Sequence, residues 1–147
     1  KLFKMKVAIG ADHAGYELKA FILEKLSIGG IAATNHGTDG PDSVDYPDHG
    51  HAVCRDVEEG LVDFGILICG SANGMTMTAN KHDGIRCGLC WLPETATLTK
   101  QHNDANVIAL PSRFITNELG WEIVQAFMKA EYEGGRHQRR VDKITCS

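Results

Sequence analysis

No apolar run in this sequence approaches the roughly 20 residues needed to cross a bilayer. The opening stretch KLFKMKVAIG also lacks the apolar core and small-residue cleavage site of a secretory signal. A membrane is therefore not an expected partner. Excess charge of one sign is missing too: 15 Lys and Arg face 19 Asp and Glu, and the basic residues are scattered apart from Arg136-His137-Gln138-Arg139-Arg140. Without a basic stripe, nucleic acid is not expected either. The five cysteines are an odd number, spread along a 147-residue chain large enough to build a core without disulfides. Reduced thiols and a cytoplasmic setting are the expectation.

Linkers, low-complexity segments and internal repeats are absent, which gives one domain over 1–147. Lys1 to Lys4 are a possible extension ahead of Met5, and residues 132–147 form a C-terminal tail. Nucleotide signatures are missing as well. No Gly-Lys-Ser/Thr follows Gly70 to Gly74, and GADHAG lacks the middle glycine of a dinucleotide fingerprint. Met75 and Thr76 stand where a thiol phosphatase would need an arginine. Cys87-Gly88-Leu89-Cys90 has redox or zinc-knuckle spacing. It lies inside an apparent strand, however, where the two side chains diverge, so a structural role is preferred. His49 and His51, two apart on a predicted helix, do not share a face and are expected to be solvent-exposed. No metal and no cofactor are expected.

What the chain does have is alternation. Short apolar runs at Lys6–Gly10, Gly29–Thr34, Phe64–Cys69, Gly84–Trp91 and Asn106–Leu110 read as strands. Between and after them, Gly15–Leu26, Pro47–Glu59, Gly74–Lys81, Pro93–Gln101 and Thr116–Glu131 read as helices. In the first helix Leu18, Phe21, Ile22 and Leu26 fall on an apolar face, with Glu17, Lys19, Glu24 and Lys25 on others. Five such repeats predict an α/β fold, a parallel sheet covered on both faces. Ligands of such folds bind beyond the carboxyl ends of the strands. There the sequence places Asp12 and His13, then Asp45 and Tyr46, then Cys69 and Ser71, then Ser112 and Arg113. Cys69 sits at the lip of an apolar run, ahead of glycine-rich backbone. It is either the last buried residue of a strand or a reactive group.

GADHAG, DYPD, ILICGSANGMTMTANK, GIR, KQHNDAN and EYEGGRHQRRV occur in that order from about Met5 to the C-terminus. Together they resemble the ribose-5-phosphate isomerase type B family, which also includes the galactose-6-phosphate isomerase subunits. The resemblance implies a three-layer, Rossmann-like α/β/α sandwich around a five-stranded parallel sheet of order 2-1-3-5-4. It also implies a metal-free aldose–ketose isomerase acting on a sugar phosphate, as a homodimer or dimer of dimers with active sites at the subunit interface.

By the same resemblance, Cys69 is the base that moves a proton between C2 and C1 through an enediolate; nearby dipoles and cations can lower a thiol's pKa, and Cys69, ahead of a helix N-terminus, is placed for that. Relatives without this cysteine use a glutamate at the place of Met75. The amides of Gly70 to Gly74, those of Gly70, Asn73 and Gly74 foremost, would stabilise the enediolate oxygen. His102 and Asp12 would open the furanose ring, with Ser71 bonding the reacting hydroxyls and Tyr46 lining the pocket. Asn103 would bind sugar hydroxyls from the partner subunit, along with His102. His13, Arg113, Arg136 and Arg140 would hold the phosphate, Arg136 and Arg140 sharing a face if the tail is helical. One departure is Ala72, where the family often has glycine; a positive φ there would strain it by about a kcal/mol or more. Two alternatives stay open: a hexose 6-phosphate isomerase, and a non-catalytic sugar-phosphate-binding protein.

Overall fold

The structure, a computed structural model, describes residues 5–146; the possible extension Lys1 to Lys4 lies outside them, as does Ser147. The elements follow in the order β1 (Lys6–Ala11), α1 (Tyr16–Ile28), β2 (Ala32–Asn35), α2 (Tyr46–Glu58), β3 (Phe64–Cys69), α3 (Asn73–Ala79), β4 (Cys87–Leu89), α4 (Pro93–Asn103), β5 (Val107–Pro111), α5 (Asn117–Lys129) and α6 (Arg136–Asp142). The strands pair in parallel as β2-β1-β3-β5-β4. The alternation and the expected strand order both hold.

Burial explains that order. Every residue of β3 and β5 is buried, as befits central strands covered on both faces, whereas β2 is exposed along its length and forms an edge. Successive side chains of β3 then serve opposite layers. Ile66 and Ile68 join Leu18, Ile22 and Leu26 of α1 and Ile123, Val124 and Phe127 of α5. Leu67 and Cys69 join Val53 of α2 and Met75 and Ala79 of α3. Each fully buried Leu or Ile contributes about 1.5–3 kcal/mol, so the layers hold the strand ends rigidly in register.

Cys87 and Cys90 diverge as expected: Cys87 packs on the α2–α3 side of the sheet and Cys90, just past β4, on the α1–α5 side. Three helix details differ from expectation. His49 and His51 are half-buried rather than exposed. His49 Nδ1 lies 2.9 Å from the His36 carbonyl, and His51 Nδ1 lies 2.6 Å from His82 Nε2. The neighbouring loops cover this side of α2 and supply those partners. Phe21 is only half-buried, whereas Lys19 is 1% exposed. The Lys19 ammonium reaches Asp39 Oδ1 at 2.6 Å, a partner that exists only once the loop after β2 folds over α1.

The chain reverses its direction of winding between β1 and β3, which are neighbours in the sheet while β2 lies outside β1. At this switch point the strand ends part and leave a crevice. Register puts Ala11 opposite Ile68 and Cys69 opposite Pro111, so β1, β3 and β5 end together at that crevice.

Candidate active site

Three backbone contacts tie the strand ends together. Asp12 N donates to Ile68 O at 3.1 Å, Ser112 N to Cys69 O at 3.0 Å, and Arg113 N to Gly70 O at 3.1 Å. Ser112 Oγ adds bonds to Ala14 O at 2.8 Å and Cys69 O at 3.2 Å. The result is a cleft of about 470 Å³ lined by Asp12, Tyr46, Cys69, Gly70, Ser71, Gly74, Arg113 and Phe114. Seven of these eight are residues that the sequence singles out. Phe114, 75% exposed on the rim, is the exception, since an aromatic after a strand carries no chemical signature.

Cys69 is 5% exposed at the floor of the cleft. Burial pushes its thiol above the ordinary value. The N–H of Met75 pulls it down, the Asp12 carboxylate pushes it up, and the N–H groups of Ala72 and Ser71 pull it down again. The net shift is upward: the dipoles placed to lower the pKa do not offset the cost of burying a thiolate. The amides of Met75, Ala72 and Ser71 favour the thiolate without outweighing burial.

That loop depends on its small residues. Ala72 has φ 66° and ψ −6° and is fully buried, so the strain expected at this position is present, about 1–2 kcal/mol for an L-residue. A Cβ on Gly70 would lie 3.1 Å from Arg113 Nη1, and one on Gly74 only 2.5 Å from two ring carbons of Tyr46. Gly74 is needed for close approach, whereas at Gly70 the crowding comes from the flexible Arg113 side chain. Ser71 Oγ accepts from Asn73 N at 3.3 Å, which starts α3 and places Asn73 beside the cleft. His13 follows Asp12 in the loop after β1, where its Nδ1 accepts from Val44 N at 3.2 Å. A neutral His13 therefore carries its proton on Nε2, as a donor.

The remaining candidates lie elsewhere. A helix that follows a parallel strand runs back to the opposite rim of the sheet, so the C-terminal turn of α4 lies beside the start of β5, away from Cys69. His102 and Asn103 occupy that turn. Asn103 lines a separate crevice of about 310 Å³ with Arg86, Cys87 and Thr99. Arg136 and Arg140 are four apart on α6, which packs against α4; Arg140 Nη1 donates to Arg136 O at 3.2 Å. One chain thus gathers Asp12, Tyr46, Cys69, Gly70, Ser71, Gly74 and Arg113, with His13 and Asn73 adjoining, and keeps His102, Asn103, Arg136 and Arg140 on another surface.

On this second surface the His102 and His137 rings stack at 4.3 Å with 15° between planes. Glu133 Oε1 is 3.8 Å from His102 Nε2 and 3.2 Å from His137 Nε2. Ligand atoms of the three lie within 4.8 Å of one another, close enough for a cation. The ring planes are nearly parallel, however, so the imidazole lone pairs run side by side and do not converge on one ion. Glu133 and His137 lie within the EYEGGRHQRRV motif, but only its arginines were given roles from the sequence.

Chemically, the cleft offers a buried thiol, a carboxylate beside it, a cradle of amides and an arginine fork, a set suited to moving a proton on a small anionic substrate. Comparison with known proteins agrees. Residues 7–144 match the family described as Ribose/Galactose Isomerase. The chain is 46% identical over 141 residues to ribose-5-phosphate isomerase B of Escherichia coli, covering 96% of this chain and 95% of that one. A ribose 5-phosphate isomerase from Thermotoga maritima superimposes with a TM-score of 0.94 at 44% identity, covering 95% and 97% of the two chains. Ribose-5-phosphate isomerase B of Mycoplasma genitalium, solved with bound ribulose-5-phosphate, gives 0.91 at 42% identity, covering 95% and 93%. By architecture, site and sequence together, the chain belongs to the ribose/galactose isomerase family.

Proposed function

We propose that the chain interconverts ribose 5-phosphate and ribulose 5-phosphate at the Cys69 cleft. The observation that carries this is the meeting of Asp12, Cys69 and Arg113 at the ends of three central strands, in a family whose relatives bear that activity. Cys69, as thiolate, takes the proton from C2 of the open-chain aldose and returns it to C1. The amides around Sγ and the Ser71 hydroxyl stabilise the intervening enediolate. Asp12 accepts from the anomeric hydroxyl while His102 protonates the ring oxygen, which opens the furanose. His13, Arg113, Arg136 and Arg140 hold the phosphate, Asn103 binds sugar hydroxyls, the Asn73 amide faces the enediolate, and Tyr46 packs on the sugar.

These roles need both surfaces at one site. Because α4 returns to the opposite rim, His102 and Asn103 reach a Cys69 cleft only when a second copy presents them. A homodimer or dimer of dimers with interface active sites is therefore part of the proposal. A cytoplasmic setting accords with five cysteines that are all unpaired.

The test is isomerase activity on ribose 5-phosphate, beside allose 6-phosphate and galactose 6-phosphate, with a chelator present. Chelator-resistant conversion of ribose 5-phosphate, faster than of either hexose phosphate, is the expected result. Preference for a hexose phosphate would overturn the substrate, and no turnover of any of them would overturn the activity.

A further inference from the structure

The arrangement around His102 points to a positioning device, and we infer that Glu133 and His137 fix the orientation in which His102 meets the sugar ring. The inference rests on the proposal that His102 is the ring-opening acid. The His102 imidazole makes no hydrogen bond among the described residues, yet the ring is confined on two sides. His137, 7% exposed, supplies a flat shelf, with ring centroids 4.3 Å apart and planes 15° from parallel. Glu133 Oε1 faces Nε2 of both rings, at 3.2 Å for His137 and 3.8 Å for His102. Among the described residues this carboxylate has no other ionic partner.

The support is itself anchored. Glu133 N donates to Gln101 O at 3.0 Å, so the segment bearing the carboxylate is stitched to the turn of α4 that bears His102. Lys100 and Asp104, the charged neighbours on that turn, pair with each other at 3.4 Å, and Arg86 also reaches Asp104 at 3.3 Å. They leave Glu133 to the two imidazoles. An imidazole turns about a single soft torsion, and a misplacement of about 1 Å costs a proton transfer heavily. The shelf limits tilt, and the carboxylate selects which edge of the ring turns inward. With Nε2 toward Glu133, the opposite edge is left for the substrate.

The test uses the purified full-length protein and separates ring opening from proton abstraction. Ribose 5-phosphate enters as a closed ring, whereas ribulose 5-phosphate is open-chain. Uptake of solvent deuterium at C1 of ribulose 5-phosphate therefore reports the Cys69 step alone. Glu133→Gln is expected to lower kcat on ribose 5-phosphate about tenfold or more, within the roughly 10²–10⁴ that a positioned acid supplies. KM and the deuterium uptake should stay within about twofold, and Glu133→Asp should restore part of kcat. His137→Phe, which keeps the flat ring but not Nε2, should show a smaller loss of the same kind.

Equal losses in both assays, no loss in either, or a raised KM at unchanged kcat would each overturn the inference. The last would mean that Glu133 only anchors the α6 arginines. His102→Asn run alongside separates the two levels. If it shows the split and Glu133→Gln does not, the positioning role alone fails. If His102→Asn shows no split, the ring-opening assignment fails and the inference with it.

Discussion

Gly74 is the residue whose replacement tests the packing of the cleft most sharply. It stands in the first turn of α3 with helical backbone, so alanine should suit it locally and gain roughly 0.5–1 kcal/mol over glycine. The added Cβ, however, would sit 2.5 Å from Tyr46 Cε1 and Cζ and 2.9 Å from its hydroxyl. Overpacking of that kind costs about 1–3 kcal/mol unless the ring moves. Tyr46 is 39% exposed and can move, at the price of leaving the cleft wall. In the wild-type background Gly74→Ala should therefore destabilise by about 0–2 kcal/mol and raise KM as Tyr46 is displaced. In a Tyr46→Ala background the same change should stabilise by about 0.5–1 kcal/mol. Urea unfolding of the four proteins gives the coupling directly, and it should be about 1–3 kcal/mol. A coupling below about 0.5 kcal/mol would refute the contact.

Cys69→Ala should cut kcat by about 10²–10⁴ while the fold and phosphate binding survive; near-normal turnover would remove Cys69 as the base. Because burial holds the Cys69 thiol above its ordinary value, the wild-type rate should rise with pH through and beyond the usual thiol range of about 8.5. A plateau reached below neutrality would contradict this; kcat/KM against pH, or the pH dependence of alkylation, reads it. Arg136→Ala or Arg140→Ala should mainly raise KM for ribose 5-phosphate, and an unchanged KM would place the phosphate elsewhere. Asp39→Asn should destabilise by about 0.5–1 kcal/mol, because the Lys19 ammonium is almost fully buried while Asp39 itself is 71% exposed and screened by solvent. The hydrogen bonds from Lys19 and then Asn35 hold the Asp39 carboxyl below its ordinary value. Its contribution is thus present above the unfolded pKa of about 3.9 and lost as pH falls through the folded one. Thermal unfolding of the two proteins should diverge at neutral pH and converge in acid.

Periodicity made the helices and central strands legible, because fully buried strands and amphipathic helices write their burial into residue order. The edge strand β2 was the weakest, since an exposed AATN has no apolar pattern to read. Cys69, Asp12 and Tyr46 were found because chain order alone puts the residues after parallel strands on one rim. Sequence does not reveal which partners a folded loop will bring, and so three features escaped it. Lys19 reads as a surface residue on α1 until Asp39 arrives from the loop after β2. His49 and His51 read as exposed until neighbouring loops cover them. The pKa of Cys69 depends on how a buried thiol, a carboxylate and three amides balance, and residue types do not give that balance. Ala72 is the opposite case: resemblance to a family that often has glycine there raised the question of a positive φ, and Ala72 adopts one.

The central claim is that Cys69 and His102 serve one site although a single chain holds them apart. Subunit mixing tests it most directly. Cys69→Ala and His102→Asn, each expected to be strongly impaired alone, are unfolded together, refolded and assayed on ribose 5-phosphate. If each site pairs the cleft of one copy with the histidine of the other, random mixed dimers rebuild one intact site each, and about a quarter of wild-type activity returns. Activity no greater than that of the separate variants, with mixed dimers demonstrably formed, would contradict the shared site.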